Sequence, residues 1–308
     1  MLDLESAKKE LKARMLKRMP QAGSYRTGLD SVGIHRKNSG SAPHRCFYES
    51  RLIYILQGSK QTTVGDDDYF YGENELFISC VDLPNTSHIM TASKDEPCMS
   101  LTIDLDKTLI GQLSLEVSPG AHEASESDVS LGILPVDARI LDAFLRLEAI
   151  FDSPDEIAVL GPMIIREIHF RLLTGPSGAM LRSFNTFGTQ KSQVAQAIGW
   201  LKKNFREPFR VEDLAERVHM APSTFHKHFK EVTSLSPLQF QKRLRLHEAQ
   251  RLMLSDDFDI NDAYCEVGYD NLAQFNREYK RLFGEPPRRN VMRWKREREA
   301  MPTLALGG

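Results

Sequence analysis

The sequence predicts an α+β chain in two parts: a β-rich N-terminal domain closed by a helical hairpin, then an all-α domain made of two helix-turn-helix units. Three observations carry this reading. Between about 25 and 105, short alternating or apolar runs are punctuated by turn residues. From about 190 to 299 the apolar residues recur with a helical period. Within that helical stretch one helix–turn–helix pattern occurs twice.

Taken in order, residues 5–19 read as a short basic helix, with Leu4, Leu11, Met15 and Met19 at helical spacing among Lys and Arg. Strand-like runs follow, such as 50–56, 61–64, 69–71, 76–81 and 99–104, separated by Gln57-Gly58 and Gly65-Asp66-Asp67-Asp68, as in a small barrel or sandwich. Residues 118–132, rich in Ser, Gly and acids, read as a loop. Helical patterns over 137–151 and 155–173 form the hairpin, the second with Ile164, Ile165, Ile168 and Leu172 on one face. Gly175-Pro176-Ser177-Gly178 opens a linker over 174–189. The divisions are thus 1–173, the linker, a helical domain over 190–299 and a flexible tail over 300–308.

The chain has 308 residues, 40 Lys+Arg against 42 Asp+Glu, and 41% hydrophobic residues, enough for about two globular domains. No apolar run nears the roughly 18 residues of a membrane span. The charged N-terminal segment lacks the apolar core of a secretory signal. Cys46, Cys80, Cys98 and Cys265 are scattered with no C-x-x-C, which argues against a zinc ribbon or a disulfide framework. A soluble cytoplasmic protein, with no membrane partner, is expected. From residue 190 onward 21 basic residues face 16 acidic ones, a net of +5, and the remainder carries −7. That asymmetry suits a C-terminal part that meets a polyanion.

The first copy of the repeat runs Val211–Val218, His219-Met220-Ala221, Pro222–Phe229; the second runs Ile260–Val267, Gly268-Tyr269-Asp270, Asn271–Tyr279. The pairs Phe225/Phe229 and Phe275/Tyr279 fall four apart and share an inward face. Ser223, Thr224, His226, Lys227 and Lys230 then point outward in copy one, and Ala273, Gln274, Asn276, Arg277 and Lys280 in copy two. Asn, Gln, Arg and Lys carry the donors and acceptors that match base edges in the major groove. We expect base reading from Ser223, Thr224, His226, Lys227, Ala273, Gln274, Asn276 and Arg277. Between the copies, Ser236-Pro237 starts a helix to about Leu254, about 27 Å long, able to set two reading heads roughly one DNA turn apart. Lys242, Arg243, Arg245, Arg251 and Lys280 are expected at phosphates, with Arg288, Arg289, Arg293 and Lys295 as further candidates. A bundle with a solvated basic face would explain the charges but not the repeat.

Val267-Gly268-Tyr269 followed by Phe275-x-Arg277-x-Tyr279-Lys280-x-x-Phe283-Gly284-x-x-Pro287 resembles the AraC/XylS transcription regulators over about 110 residues. Gln57-Gly58-Ser59-Lys60, Asp82-Leu83-Pro84 and Leu101-x-Ile103-Asp104-Leu105-Asp106 resemble the cupin-like N-terminal domain of one subgroup. The resemblance implies an N-domain that senses a small-molecule effector and forms a homodimer, a C-domain that reads double-stranded promoter DNA, and contact with RNA polymerase, more often as an activator. Ala221 departs from it where the family places a Ser or Thr cap, and Tyr264 where it prefers a small residue. The competing class is a ligand-binding module whose helical domain binds a protein instead of DNA.

The single histidines His35, His44, His88, His122 and His169 do not form the clustered ligands of a catalytic cupin, and no G-x-S-x-G, Walker or G-x-G-x-x-G motif is present. The expectation is a non-enzyme without cofactor or metal. Arg14 and Arg18, four apart on one helical face, resemble the Arg-x-x-x-Arg signature of PilZ domains, which bind cyclic di-GMP; Asn85-Thr86-Ser87 matches the start of that signature's second part, with Met90 in place of its final Gly. Cyclic di-GMP is therefore the named effector expectation, bound by Arg14, Arg18, Asn85 and Ser87. The other reading is an unidentified small molecule in the β-domain, lined by Phe47, Tyr54 and Tyr71, which read equally as core.

Overall fold

The computed structural model describes residues 3–117, 130–255, 258–300 and 303–305. Most of the loop expected over 118–132 lies outside the described residues. Helix α1 (Leu4–Arg18) starts where the Asp3 carboxylate accepts from the Ser6 amide, and it buries Ala7, Leu11 and Met15. Nine strands follow: β1 (Gly23–Arg26), β2 (Val32–Lys37), β3 (His44–Tyr48), β4 (Arg51–Gln57), β5 (Ser59–Val64), β6 (Asp67–Gly72), β7 (Glu75–Ser79), β8 (Leu83–Thr91) and β9 (Cys98–Asp104). Helix α2 (Lys107–Glu116), which periodicity did not reveal, is nucleated by Asp106, whose side chain accepts from two first-turn amides. Strand β10 (Leu131–Pro135) leads to the hairpin α3 (Ala138–Ala149) and α4 (Pro154–Thr174).

The strands form two sheets, ordered β10-β7-β4-β9-β2-β1-β11 and β3-β8-β5-β6, where β11 (Thr303–Ala305) is a strand of the C-terminal tail pairing parallel to β1. Tyr71 stacks on Phe77 at 4.6 Å between the sheets, and Tyr54 stacks on Phe144 of α3 at 5.1 Å on the outer face of the large sheet. The large sheet is therefore covered on both faces, and β4 is buried from Leu52 to Gln57.

The segment expected as a linker is largely helix α5 (Gly178–Asn185), which buries Met180, Leu181 and Phe184. Its Gly-Pro signal marks a tight corner: a Cβ at Gly178 would stand 2.0 Å from the Leu173 carbonyl. The tail expected to be flexible contributes β11. Helices α6 (Gln190–Asn204), α7 (Val211–Arg217), α8 (Pro222–Thr233), α9 (Pro237–Ser255), α10 (Ile260–Glu266), α11 (Leu272–Phe283) and α12 (Pro287–Ala300) complete the chain.

Burial divides the helical domain unevenly. One continuous apolar core runs from the β-domain through α4, α5 and α6 into the first helix-turn-helix unit as far as Leu244. A separate core holds the end of α9 with α10 and α11, with Val291 of α12 packed at its edge. The first unit is thus fused to the N-terminal domain, and the second is a module of its own.

Candidate nucleic-acid interface and effector cavity

In both units the second helix buries its aromatic pair completely: Phe225 and Phe229 in α8, Phe275 and Tyr279 in α11. The opposite face is polar. Ser223, His226, Lys227 and Lys230 are exposed and Thr224 is half-buried; Ala273, Gln274, Arg277 and Lys280 are exposed and Asn276 is half-buried. The turns match as well. His219 (φ +57°) and Gly268 (φ +84°) occupy equivalent left-handed positions, and a Cβ at Gly268 would meet the Arg206 carbonyl at 2.2 Å. Asn271 caps α11 by accepting from the Gln274 amide at 2.9 Å, whereas Ala221 leaves α8 without a side-chain cap. Tyr264 is accommodated by tilting onto Phe275, with ring centroids 6.2 Å apart.

The residues expected at phosphates separate into distinct groups. Lys280 is exposed, and Arg251 pairs with Glu248 at 2.9 Å. Lys242 pairs with Glu278 at 2.9 Å, and Arg289 and Arg293 both approach Glu285. Arg245 is a correction. Its guanidinium donates to the carbonyls of Phe205 (2.7 Å), Arg206 (2.8 Å) and Gly268 (2.7 Å), so it is spent bracing α9 against the end of α6 and the turn of the second unit.

The expected dinucleotide site does not assemble. Arg18 pairs with Glu148 and with Asp152 (2.7 Å), and also donates to the Glu148 carbonyl at 3.2 Å; Arg14 reaches the same Glu148 at 3.2 Å. Glu148 is 3% exposed, so these arginines neutralise a buried carboxylate of α3 and lock α1 onto it. Asn85 and Ser87 lie in β8 of the small sheet, where Asn85 accepts from the Cys46 thiol and Ser87 from the Tyr48 hydroxyl. The aromatic trio is likewise dispersed: Tyr71 sits between the sheets, Tyr54 faces α3, and Phe47 faces Phe240 and His247 of α9.

The sandwich interior holds what the sequence reading passed over. Beside an apolar end at Ile53, Phe77 and Tyr71 lies a polar one. His35 sits between Ser24 Oγ (3.0 Å) and Thr102 Oγ1 (3.1 Å), and Thr102 in turn donates to the Gly33 carbonyl. That chain makes Nε2 the protonated nitrogen and Nδ1 the acceptor. Burial holds the ring neutral, its pKa pulled down to about 3. Lys60 enters from the small sheet and donates to Ser100 Oγ at 3.0 Å. Among the described residues it has no carboxylate partner, and burial lowers its pKa. Arg51, at the rim, pairs with Asp104 at 2.9 Å while its Nε is buried without a partner. The strict alternation of β9 was the available signal. Among the described residues no group of three His, Cys, Asp or Glu could hold a metal ion, and no helix is long and apolar enough to cross a membrane.

The domains meet along β3 and α6. Lys202 of α6 pairs with the buried Asp82 at 2.8 Å, Phe47 packs on Phe240 and His247, and His44 meets Trp294 of α12. At the β5–β6 hairpin, Gly65 (φ +64°) passes so near Ser234 that a Cβ would stand 2.4 Å from it.

Against known proteins, a family model described as the AraC-type transcriptional regulator N-terminus matches residues 28–180, and one described as a helix-turn-helix domain matches residues 214–291. The HTH-type transcriptional activator RhaS of Pectobacterium carotovorum is 28% identical over 101 residues, 33% of this chain and 36% of RhaS. The match thus spans about a third of that relative's length. Apo ToxT from Vibrio cholerae superposes with a TM-score of 0.59 at 11% identity, covering 88% of this chain and 99% of ToxT; ToxT with an unsaturated fatty acid bound gives 0.52 at 12%, covering 85% and 94%. These likenesses show the same two-part fold. With an AraC-type N-terminus followed by a helix-turn-helix domain, the chain belongs to the AraC family of transcription regulators, an effector-binding domain joined to a DNA-binding one.

Proposed function

We propose that the chain activates transcription by binding promoter DNA through both helix-turn-helix units, as a homodimer that contacts RNA polymerase, under the control of an anionic small molecule. The observation that carries DNA reading is the pair of polar, exposed helix faces of α8 and α11, each backed by a buried aromatic pair and joined by one helix of about 28 Å. Activation is the reading that likeness to the transcriptional activator RhaS supports, and contact with RNA polymerase is the route by which a DNA-bound activator would act. The homodimer reading is supported by α4, which exposes Val159 (65%) and Met163 (63%) one turn apart.

An anionic effector is supported by Lys60, an ammonium inside the sandwich whose hydrogen-bond partner is a hydroxyl. The fatty acid bound in ToxT, a carboxylate with an apolar tail, is the kind of ligand that the Lys60 ammonium beside Ile53, Phe77 and Tyr71 would suit. Footprinting on selected genomic fragments should show protection in two successive major grooves. Arg277→Ala should relax base preference, and an unchanged preferred site would refute its reading role. For the effector, a panel of carboxylates including an unsaturated fatty acid should alter DNA affinity of the wild type and not of Lys60→Met. A Lys60→Met variant with the full response would overturn the placement.

A further inference from the structure

A cavity of about 460 Å3 lies between β3, α9 and α11, with Arg45, Gln239, Lys242, Arg243, Glu278 and Arg281 in its wall. Its charges do not balance. Glu278, the carboxylate in that wall, is already engaged by Lys242 (2.9 Å), the Tyr269 hydroxyl (2.7 Å) and the Gln274 amide (3.2 Å). Among the described residues, Arg45, Arg243 and Arg281 have neither an ion pair nor a hydrogen bond through their guanidiniums. Other arginines of this chain are satisfied: Arg18 and Arg14 by Glu148, Arg245 by three carbonyls, Arg146 by Asp142 and Glu167.

Arg243 is the anomaly. It is withdrawn from water beside a like charge, and burial first, then Arg45, pull its pKa below the usual guanidinium value. His247, one turn on along α9, is held neutral by burial and the same two arginines, so it adds no charge. A partly desolvated cation beside a like charge and without a counter-ion is costly by itself, and a bound anion removes that cost. Three arginines in the wall of one space, Arg45 and Arg243 near enough to repel each other, offer planar pairs of N–H groups, the donor pattern that grips tetrahedral oxyanions and that lysine does not supply.

We propose that this cavity binds a small dissolved oxyanion of the phosphate class, held by Arg45, Arg243 and Arg281. The site is separate from the sandwich interior and does not rest on the effector reading. It joins three elements, a strand of the sensing domain, the connecting helix and the second recognition helix. Because the second helix-turn-helix unit has its own core, an anion there ties that unit to the N-terminal domain.

The test is calorimetry of the full-length protein with pyrophosphate as probe, at constant ionic strength in chloride. Saturable binding is expected, weakened at least roughly ten-fold by Arg45→Ala and by Arg243→Ala, and unchanged by Arg166→Ala, which removes a surface arginine paired with Glu116. Arg243→Lys should fall between wild type and alanine. Arg45 and Arg281 are exposed, so their alanine variants remain informative if Arg243→Ala fails to fold. No saturable heat with wild type, or Arg45→Ala and Arg281→Ala both binding as wild type does, overturns the proposal. So does an Arg45→Ala variant that keeps pyrophosphate binding and lowers the salt slope of DNA binding by about one, which would assign the guanidinium to the DNA backbone.

Discussion

Replacing Arg245 by alanine separates two roles that a basic residue on the connecting helix can have. Removing a cation that neutralises a DNA phosphate lowers the slope of log affinity against log salt by about 0.9 and leaves stability alone. The structure gives Arg245 other work, with three charge-assisted bonds of 2.7–2.8 Å to the carbonyls of Phe205, Arg206 and Gly268. At about 1 kcal/mol net for each in a half-buried setting, Arg245→Ala should cost about 2–3 kcal/mol, borne by the second helix-turn-helix unit. Hydrogen exchange in α10 and α11 should then accelerate by roughly 30- to 150-fold, with α7 and α8 little changed. Fluorescence anisotropy over a salt series should show weaker DNA binding with an unchanged slope. A slope reduced by one with unaltered exchange in α10 and α11 would refute the bracing role.

Other outcomes follow from the same geometry. Arg18→Ala should destabilise the chain by about 2–4 kcal/mol in urea titration, since it strips the main partner from the buried Glu148; an effect under about 0.5 kcal/mol would contradict the lock between α1 and α3. Calorimetry of wild type with cyclic di-GMP should give no saturable heat while both arginines hold that carboxylate, and micromolar binding abolished in Arg14→Ala would reverse this. His35 and His247 are both held near pKa 3 when folded, against about 6.5 unfolded, so the unfolded chain takes up protons first as pH falls. Stability should be full above about pH 7.5 and decline from there to about pH 5.5 by about 1.4 kcal/mol for each ring, and His247→Gln should remove about half of the decline. Ala221→Ser should supply the missing cap of α8 and stabilise the first unit by about 0.5–1.5 kcal/mol in thermal unfolding; no change would mean that Pro222 and packing already fix the helix start.

Local pattern decided what local physics controls. Helices α7, α8, α10 and α11 could be read because an aromatic pair four residues apart, a turn and a polar face are all encoded within about 20 residues. Burial of Phe225, Phe229, Phe275 and Tyr279, and exposure of Arg277 and Lys227, follow from that period alone. The fate of most charges did not. Arg18 finds Glu148 across 130 positions, and Arg245 finds Phe205 across 40, so which arginines remain for a ligand depends on chain folding, not on spacing. The β9 strand shows the same limit. Its alternation Met99, Leu101, Ile103 against Ser100, Thr102, Asp104 reads as core against solvent, yet Ser100 is 1% exposed, because the second sheet covers the face that local pattern assigns to water. Residue order was enough to specify two helix-turn-helix units and the faces they present. That polar groups line the sandwich, that Arg14 and Arg18 hold Glu148 and that Arg45 and Arg243 share one cavity emerge only on folding, since each depends on which distant segment displaces the water.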